Sequence, residues 1–336
     1  MSNLISAENY INFSDVIFSA FISKKKVTEY IQNGYEIINE TNEFYLVKRQ
    51  DFTLRENDII FCNTDLVYEL FKLLKPIKSL SNIKLVTHQS DVSINMKHLQ
   101  YKPECISEWY AINVDVESNY LYPIPIGLAS SFQEKYLVES KILNINTSKV
   151  DKSNLIYINF NPNTNLIQRN EVLEKFIKED WAKVDLFNVS IDEYASNIQK
   201  SHFVLAPWGN GIDTHRIWEV LYLGSIPITK YHKTFKSIKN LPILFVDSYE
   251  EINKTLLEKY LNENTKNTIS PMYYVEFWKE LFKKNNLDST ESITISQNRI
   301  LFLFDKYKLK LKIIFKSKIK LSKYYLMKII KVLKNE

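Results

Sequence analysis

Arg216 and Glu219 lie three residues apart, and His215 and Glu219 four apart, within the stretch FVLAPWGNGIDTHRIWEVLYLGSIPIT at residues 203–229. On an α-helix these spacings bring all three side chains to one side of the first two turns. A guanidinium at the mouth of such a helix suits a diphosphate, and a carboxylate one turn further in suits the hydroxyls of a ribose. Ahead of them, Gly209 and Gly211 flank Asn210 in a loop whose backbone can turn sharply and approach a ligand closely. Asp213 or Thr214 is placed to cap the helix, and Gly224 to end it in the left-handed conformation. Ile217, Val220, Leu221 and Leu223 supply its buried side, and Phe203–Ala206 and Ser225–Thr229 read as apolar strands on either side. A strand, a glycine loop and a helix N-terminus together make an anion site, because unpaired N–H groups and the helix dipole point at the loop.

Each of these residues also has a plainer reading. Arg216 and Glu219 at i,i+3 form a surface ion pair worth a few tenths of a kcal/mol. The glycine loop before them and the apolar strands around them favour the ligand role. His215 either binds phosphate or caps the helix. Trp208 either stacks on a base or anchors the loop.

Strands must stand behind such a site, and the pattern supplies them. In the first half, Glu43–Val47, Asp58–Phe61, Ile83–Thr87, Trp109–Val114 and Tyr122–Ile126 read as strands, with a helix running from near Thr64 to Leu74 and stopping before Pro76. Ser140–Asn154 is polar and lacks a period, which marks it as a linker. The alternation then restarts with a strand at Leu155–Phe160, a helix at Ile167–Lys178 and a strand near Val184–Phe187. Ser190–Glu193 and Ser248–Glu251 are capping boxes that open helices. A strand at Pro242–Val246 and a helix opened by Pro271 and running through Phe282 complete the series. Strands alternating with helices on both sides of a linker predict two α/β domains with mostly parallel sheets. Their ligands should lie beyond the carboxyl ends of the strands, where His88 and Asp91 also fall.

A chain of 336 residues, 45% hydrophobic and 25% charged, has room for two ordinary domains. Cys62 and Cys105 stand alone, without a C-x-x-C or a neighbouring His, so neither a disulfide framework nor a zinc site is indicated. The apolar run Val16–Ile22 is short and precedes Lys24–Lys26, the wrong order for a secretory signal, and no run reaches membrane-span length. These features predict a cytoplasmic protein. The net charge of +5 is concentrated at one end: residues 301–336 carry eleven Lys against Asp305 and Glu336, a net of +9, leaving the rest at −4. An acidic body argues against nucleic acid as a partner.

The tail itself alternates Lys with apolar residues from Lys306 to Ile313. From Phe315, the apolar positions Ile319, Leu326, Ile329, Ile330 and Leu333 form a helical stripe among lysines. Two readings stand for it: a basic amphipathic helix on the inner, anionic face of the cytoplasmic membrane, or a helix packed on the body with its lysines in solvent.

The 203–229 stretch resembles the nucleotide-sugar-binding signature of exostosin-type glycosyltransferases (glycosyltransferase family 47), in its bacterial form P-x-G-N-G-x-D-x-H-R-x-W-E-x-L-Y-x-G-x-I-P-I, of which every fixed letter is present. Weaker likeness extends to the Asn161–Arg169 loop, to THQSD and to YPIPIGL, covering about two thirds of the chain in scattered blocks. The resemblance implies the GT-B arrangement, two Rossmann-like domains facing a cleft. Residues 1–150 would bind the acceptor, 151–300 the nucleotide sugar, and 301–336 would form the basic helical tail. It also implies an inverting sugar transfer from a nucleoside-diphosphate sugar to a hydroxyl of a surface polysaccharide or lipid-linked glycan.

That chemistry needs a stabilised diphosphate, a held nucleotide and a base for the acceptor hydroxyl. No D-x-D occurs, and Asp115-Val116-Glu117 is a weak substitute, so neither a metal nor another cofactor is expected. Arg216, Arg169 and the loop of Gly209, Asn210, Gly211 and Asp213 are expected to hold the diphosphate, with Asn163 and Thr164 beside Arg169 and Glu219 on the ribose. Asp91 is the expected base, with His88 in reserve; Trp109, Asn113 and the Pro123–Gly127 turn would shape the acceptor side. A retaining transferase without a base, and a non-catalytic nucleotide-sugar-binding or membrane-scaffolding protein, are the alternatives.

Overall fold

The computed structural model describes residues 3–145, 150–185, 189–264, 270–288 and 291–299, then positions 303, 306–308, 311, 315, 318 and 322. The expected strand end at Leu186–Phe187 and the tail stripe from Ile319 to Leu333 lie outside the described residues. The chain divides into a larger unit, residues 1–18 with 54–293, and a smaller one, residues 19–53 with 294–336.

In chain order, helix α1 (Ala7–Phe13) precedes strand β1 (Val16–Ser23), helix α2 (Val27–Gln32) and strands β2 (Tyr35–Glu40), β3 (Phe44–Arg49) and β4 (Phe52–Arg55). In the smaller unit, β3 pairs antiparallel with both β1 and β2, in a register that sets Ser19 opposite Lys48 and Tyr35 opposite Arg49. Gly34, at φ +81°, makes the turn from α2 into β2. The antiparallel pairs are a departure from the expected parallel alternation: the connection from β2 to β3 is too short for a crossover, so only a hairpin can form.

The larger unit holds two parallel sheets. The first contains β5 (Ile59–Asn63), β6 (Ile83–His88), β7 (Ile106–Ala111) and β8 (Leu121–Pro123), each parallel to the next. Helices α3 (Val67–Leu74) and α4 (Met96–Tyr101) connect them. All residues of β5 and β6 are buried, as expected of strands covered on both faces. The region read as a linker begins with a short helix, α5 (Glu139–Asn144), because buried Ile142 gives it something to pack.

The second sheet is built from β9 (Asn154–Ile158), α6 (Leu166–Phe176), β10 (Ala182–Val184), α7 (Ile191–Gln199), β11 (Ser201–Leu205), α8 (His215–Tyr222), β12 (Ile226–Lys230), β13 (Leu244–Val246) and α9 (Lys254–Glu263). Its strand order is β10-β9-β11-β12-β13, all parallel. That is the doubly wound Rossmann-like order 2-1-3-4-5, whose direction of winding reverses between β9 and β11. Ile156, Ile158, Phe203, Leu205, Ile226 and Ile228 form its buried face against Val172 and Phe176 of α6. Two parallel α/β sheets are therefore present, as the sequence predicts.

Helix α10 (Val275–Lys283) departs from the expected division at residues 150 and 300. Phe282 lies 3.9 Å from the Tyr110 ring of β7, and buried Lys84 of β6 donates to Phe282 O and, at 2.6 Å, to Asn286 Oδ1. The chain thus returns to the first sheet before its last strand, β14 (Ser292–Ile295).

Candidate functional site at the switch point of the second sheet

The loops that follow β9 and β11 leave the carboxyl ends of the two strands at the reversal, the place where doubly wound sheets bind ligands. A cavity of ≈ 660 Å³ opens beside them, lined by Asn159, Asn161, Tyr194, Arg216 and Glu219, and by Glu134 to Leu137 with Lys141 from the end of the first half.

Helix α8 places the two predicted ligand residues. Its N-cap is Thr214, and buried Ile217, Trp218, Val220 and Leu221 fix its rotation, so Arg216 and Glu219 turn toward the cavity. Gly224, at φ +74°, ends it as predicted. Glu219 is 3% exposed, and its Oε2 accepts from the Tyr194 hydroxyl at 2.8 Å. The same hydroxyl accepts from Arg216 Nη1 at 2.8 Å, with the guanidinium 5.1 Å from the ring centroid. Arg216 and Glu219 are therefore joined through a phenol and do not form the simple surface pair. Burial pushes the Tyr194 phenol well above its ordinary value. Tyr194 carries no motif; only its place on the capped helix after Ser190, with Ala195 and Ile198 on the buried face, hints that it points inward.

The glycine loop differs from the expected open anion cradle. Asn113, which follows β7 of the first sheet, accepts from the N–H groups of Ile212 and Asp213 at 2.9 and 3.1 Å. A Cβ on Gly211 would stand 2.9 Å from the Asn113 amide, so this glycine makes room for another side chain. Asn113 has φ +53°, and Gln89 at the end of β6 has φ +59°. Both are non-glycine residues in the left-handed region, in the loops that leave the carboxyl ends of β6 and β7 in the first sheet. Asn210 is exposed at the tip of the loop.

Arg169 also differs from expectation. It is 7% exposed, and it donates from Nε to Trp208 O at 2.9 Å, from Nη1 to Asn161 O at 2.9 Å and from Nη2 to Pro207 O at 2.8 Å. Its guanidinium thus pins the two switch-point loops to each other, and Arg169 is not among the residues that line the cavity. Gly209 gives it space, since a Cβ there would meet Arg169 Nη2 at 3.1 Å. Asn163 and Thr164 sit in a short turn held by Asn161, and it is Asn161 that reaches the cavity wall. Trp208 donates to Lys230 O at 3.2 Å, which makes it a loop anchor.

Asp213 is 3% exposed and faces the first half of the chain. Its carboxylate accepts from Ile126 N at 2.8 Å and from Trp218 Nε1 at 3.3 Å, and burial pushes its pKa up to about 7. His215 Nδ1 lies 2.7 Å from Gly127 O; a carbonyl only accepts, so Nδ1 carries the proton. His215 is thereby an orienting contact between the two halves, neither a cap nor a group turned to phosphate by this nitrogen.

His88 does not meet the requirements of a reserve base. It is 1% exposed, its Nδ1 accepts from Gln89 N at 2.7 Å, and burial, reinforced by the charge of His215, pushes its pKa down to about 3. An acceptor hydroxyl cannot reach it. Asp91 is exposed in the loop after β6 and lies outside the cavity lining. The sequence reading missed Glu134, Lys135 and Tyr136, which stand in an irregular segment, and Lys141 on the short helix α5, in a stretch without a period to flag it. Among the described residues, no three His, Cys, Asp or Glu side chains gather closely enough to hold a metal ion, and no helix is long and apolar enough to cross a membrane.

Residues 163–323 match the family profile described as the RXYLT1 C-terminal domain. No curated protein sequence matches the chain. Among solved structures, it is similar to an alpha-glucosyltransferase in complex with UDP and a 13-mer DNA containing a central A:G mismatch, at 13% identity over 66% of this chain and 73% of that one, with a TM-score of 0.31. It is also similar to AviGT4, a glycosyltransferase involved in avilamycin A biosynthesis, at 9% identity over 68% and 80%, with a TM-score of 0.29. A third likeness is to an alpha-glucosyltransferase in complex with UDP-glucose and DNA containing an abasic site, at 14% identity over 69% and 78%, with a TM-score of 0.28.

Proposed function

We propose that the chain is a GT-B glycosyltransferase related to the exostosin type, moving a sugar from a nucleoside-diphosphate sugar to a hydroxyl of a polysaccharide or lipid-linked glycan. The observation that carries this reading is the Arg216–Tyr194–Glu219 row on the wall of a cavity at the switch point of a doubly wound sheet. In this reading, Arg216 stabilises the charge that develops on the departing diphosphate. Lys135 and Lys141 add positive charge from the facing segment. Glu219 keeps Oε1 for a ribose hydroxyl while Oε2 holds Tyr194. Arg169 and Asn113 act one step back, fixing the loops at the ends of β9 and β11 so that the cavity keeps its shape.

Asp91 is the proposed base, since it is the exposed carboxylate at the carboxyl end of β6, and inversion follows if it takes the acceptor proton during a direct attack. The lysine-rich tail is proposed to hold the enzyme at an anionic membrane surface: the described positions Leu303, Tyr307, Leu311 and Phe315 recur every fourth residue and are all exposed.

The test is thermal stability of the purified protein against uridine, guanosine, adenosine and cytidine diphosphates and their sugar conjugates, with and without chelator. One nucleotide at about a hundred times its Kd should stabilise the fold by about 2.7 kcal/mol. That gain should vanish in Arg216→Ala and Glu219→Ala. A panel without a single shift would remove the transferase reading.

A further inference from the structure

Tyr194 sits on α7, while the two residues it joins sit on α8. A phenol has one proton to give. It goes to Glu219 Oε2 at 2.8 Å, and the oxygen's lone pair takes the hydrogen of Arg216 Nη1, also at 2.8 Å. The ring beneath the guanidinium, with the centroid 5.1 Å away, holds its plane as well as its position. Tyr194 is 9% and Glu219 3% exposed, so the hydroxyl–carboxylate half of the bridge is shielded from competing water, while half-buried Arg216 faces the cavity.

Without the hydroxyl, Arg216 and Glu219 stand at i,i+3 on one helix and are free to pair directly. A direct pair would withdraw both charges from a ligand at once. We infer that Tyr194 is the positioning residue that keeps them apart and aimed, so that recognition of a diphosphate at Arg216 and of a ribose at Glu219 form one coupled unit. The site would then select ribonucleoside diphosphates over their deoxyribose counterparts. This inference rests on the nucleotide-sugar reading and adds to it the class of donor and the residue that selects it.

The test uses the full chain and isothermal titration. The nucleoside diphosphate that binds the wild type is compared with its 2′-deoxy and 3′-deoxy forms, in wild type and in Tyr194→Phe, which keeps the ring and removes only the hydroxyl. Wild type should prefer the ribose form at least tenfold over one of the deoxy forms. In Tyr194→Phe the ribose form should bind at least tenfold more weakly, and the preference should collapse to within about twofold. A change that only loosened the fold would weaken ribose and deoxyribose forms alike and leave the ratio intact. An unchanged ratio in the variant overturns the inference while the donor site stands. A wild type that binds none of the nucleotides removes the parent reading and this one with it. Should Tyr194→Phe fail to fold, Arg216→Ala, Glu219→Ala and their double variant carry the same question. Coupling predicts that the double variant loses at least fivefold less affinity than the product of the single losses, and a multiplicative loss overturns it.

Discussion

Asp213 and His88 set up opposing pH dependences inside one unit of the fold. Both are almost fully buried, and burial moves them in opposite directions, Asp213 from 3.8 up to about 7 and His88 from 6.5 down to about 3. For Asp213, the folded chain takes up a proton near pH 7 and the unfolded chain only near 3.8, so acidification across that window favours the folded state. At ~1.36 kcal/mol per pH unit, lowering the pH from 7.5 to 4.5 gains about 3 kcal/mol. For His88 the unfolded chain takes up its proton near 6.5 and the folded chain only near 3, so acidification disfavours the folded state. The same change of pH loses about 3 kcal/mol through it. In the wild type the two contributions nearly cancel, and the single variants should unmask them.

The measurement is chemical denaturation of wild type, Asp213→Asn and His88→Asn at pH 7.5, 6.5, 5.5 and 4.5. Taken relative to wild type, Asp213→Asn should lose about 3 kcal/mol on going from pH 7.5 to 4.5, because the benefit of protonating Asp213 is gone. His88→Asn should gain about the same over that interval. Using differences from wild type at each pH removes the titration of every other group. Differences that stay constant to within about 0.5 kcal/mol across the range would refute the reasoning, since two buried groups whose pKa values shift on folding cannot be silent.

Asn113→Ala should cost about 1–3 kcal/mol in urea denaturation, because the N–H groups of Ile212 and Asp213 lose their acceptor. Gly127→Ala should cost about 2–4 kcal/mol, since the residue has φ +66° and a Cβ would stand 2.2 Å from Ile5 O. Once an acceptor is in hand, Asp91→Asn should lower kcat about a hundredfold or more with the donor KM unchanged, whereas Glu134→Gln on the cavity wall should change KM and spare kcat. Vesicles containing phosphatidylserine should retain the full chain, and neutral vesicles or a chain ending at residue 300 should show no retention.

What the sequence made legible follows from how local each determinant is. The α8 segment was readable down to Gly224, because its apolar face and terminating glycine lie within one short stretch, although Thr214 at the N-cap makes no side-chain capping bond. The parallel strands were readable as apolar runs, although their ends were not: β7 begins at Ile106, before the Trp109 that periodicity suggested, and β8 ends at Pro123. The role of Arg169 was misread for a different reason. A guanidinium near a helix start looks like a phosphate ligand until the positions of Pro207 O and Trp208 O are known, and sequence spacing says nothing about carbonyls 38 and 39 residues away.

The same holds for the glycine loop. Gly209 and Gly211 do signal close approach, as their lack of side chains requires, but the groups that approach are Arg169 and Asn113. A glycine-rich loop before a helix therefore has two physical uses, to admit a phosphate or to admit a protein side chain that holds the loop still. Here the second use is visible in named contacts, and it bears on the first. With Asn113 on two of the loop's N–H groups and Arg169 on its carbonyls, the proposed donor site would rest most of the burden of holding an anion on Arg216, with its aim set, in the inference above, by the Tyr194 hydroxyl. Loss of that one oxygen should then cost more in donor affinity than loss of any single loop N–H contact.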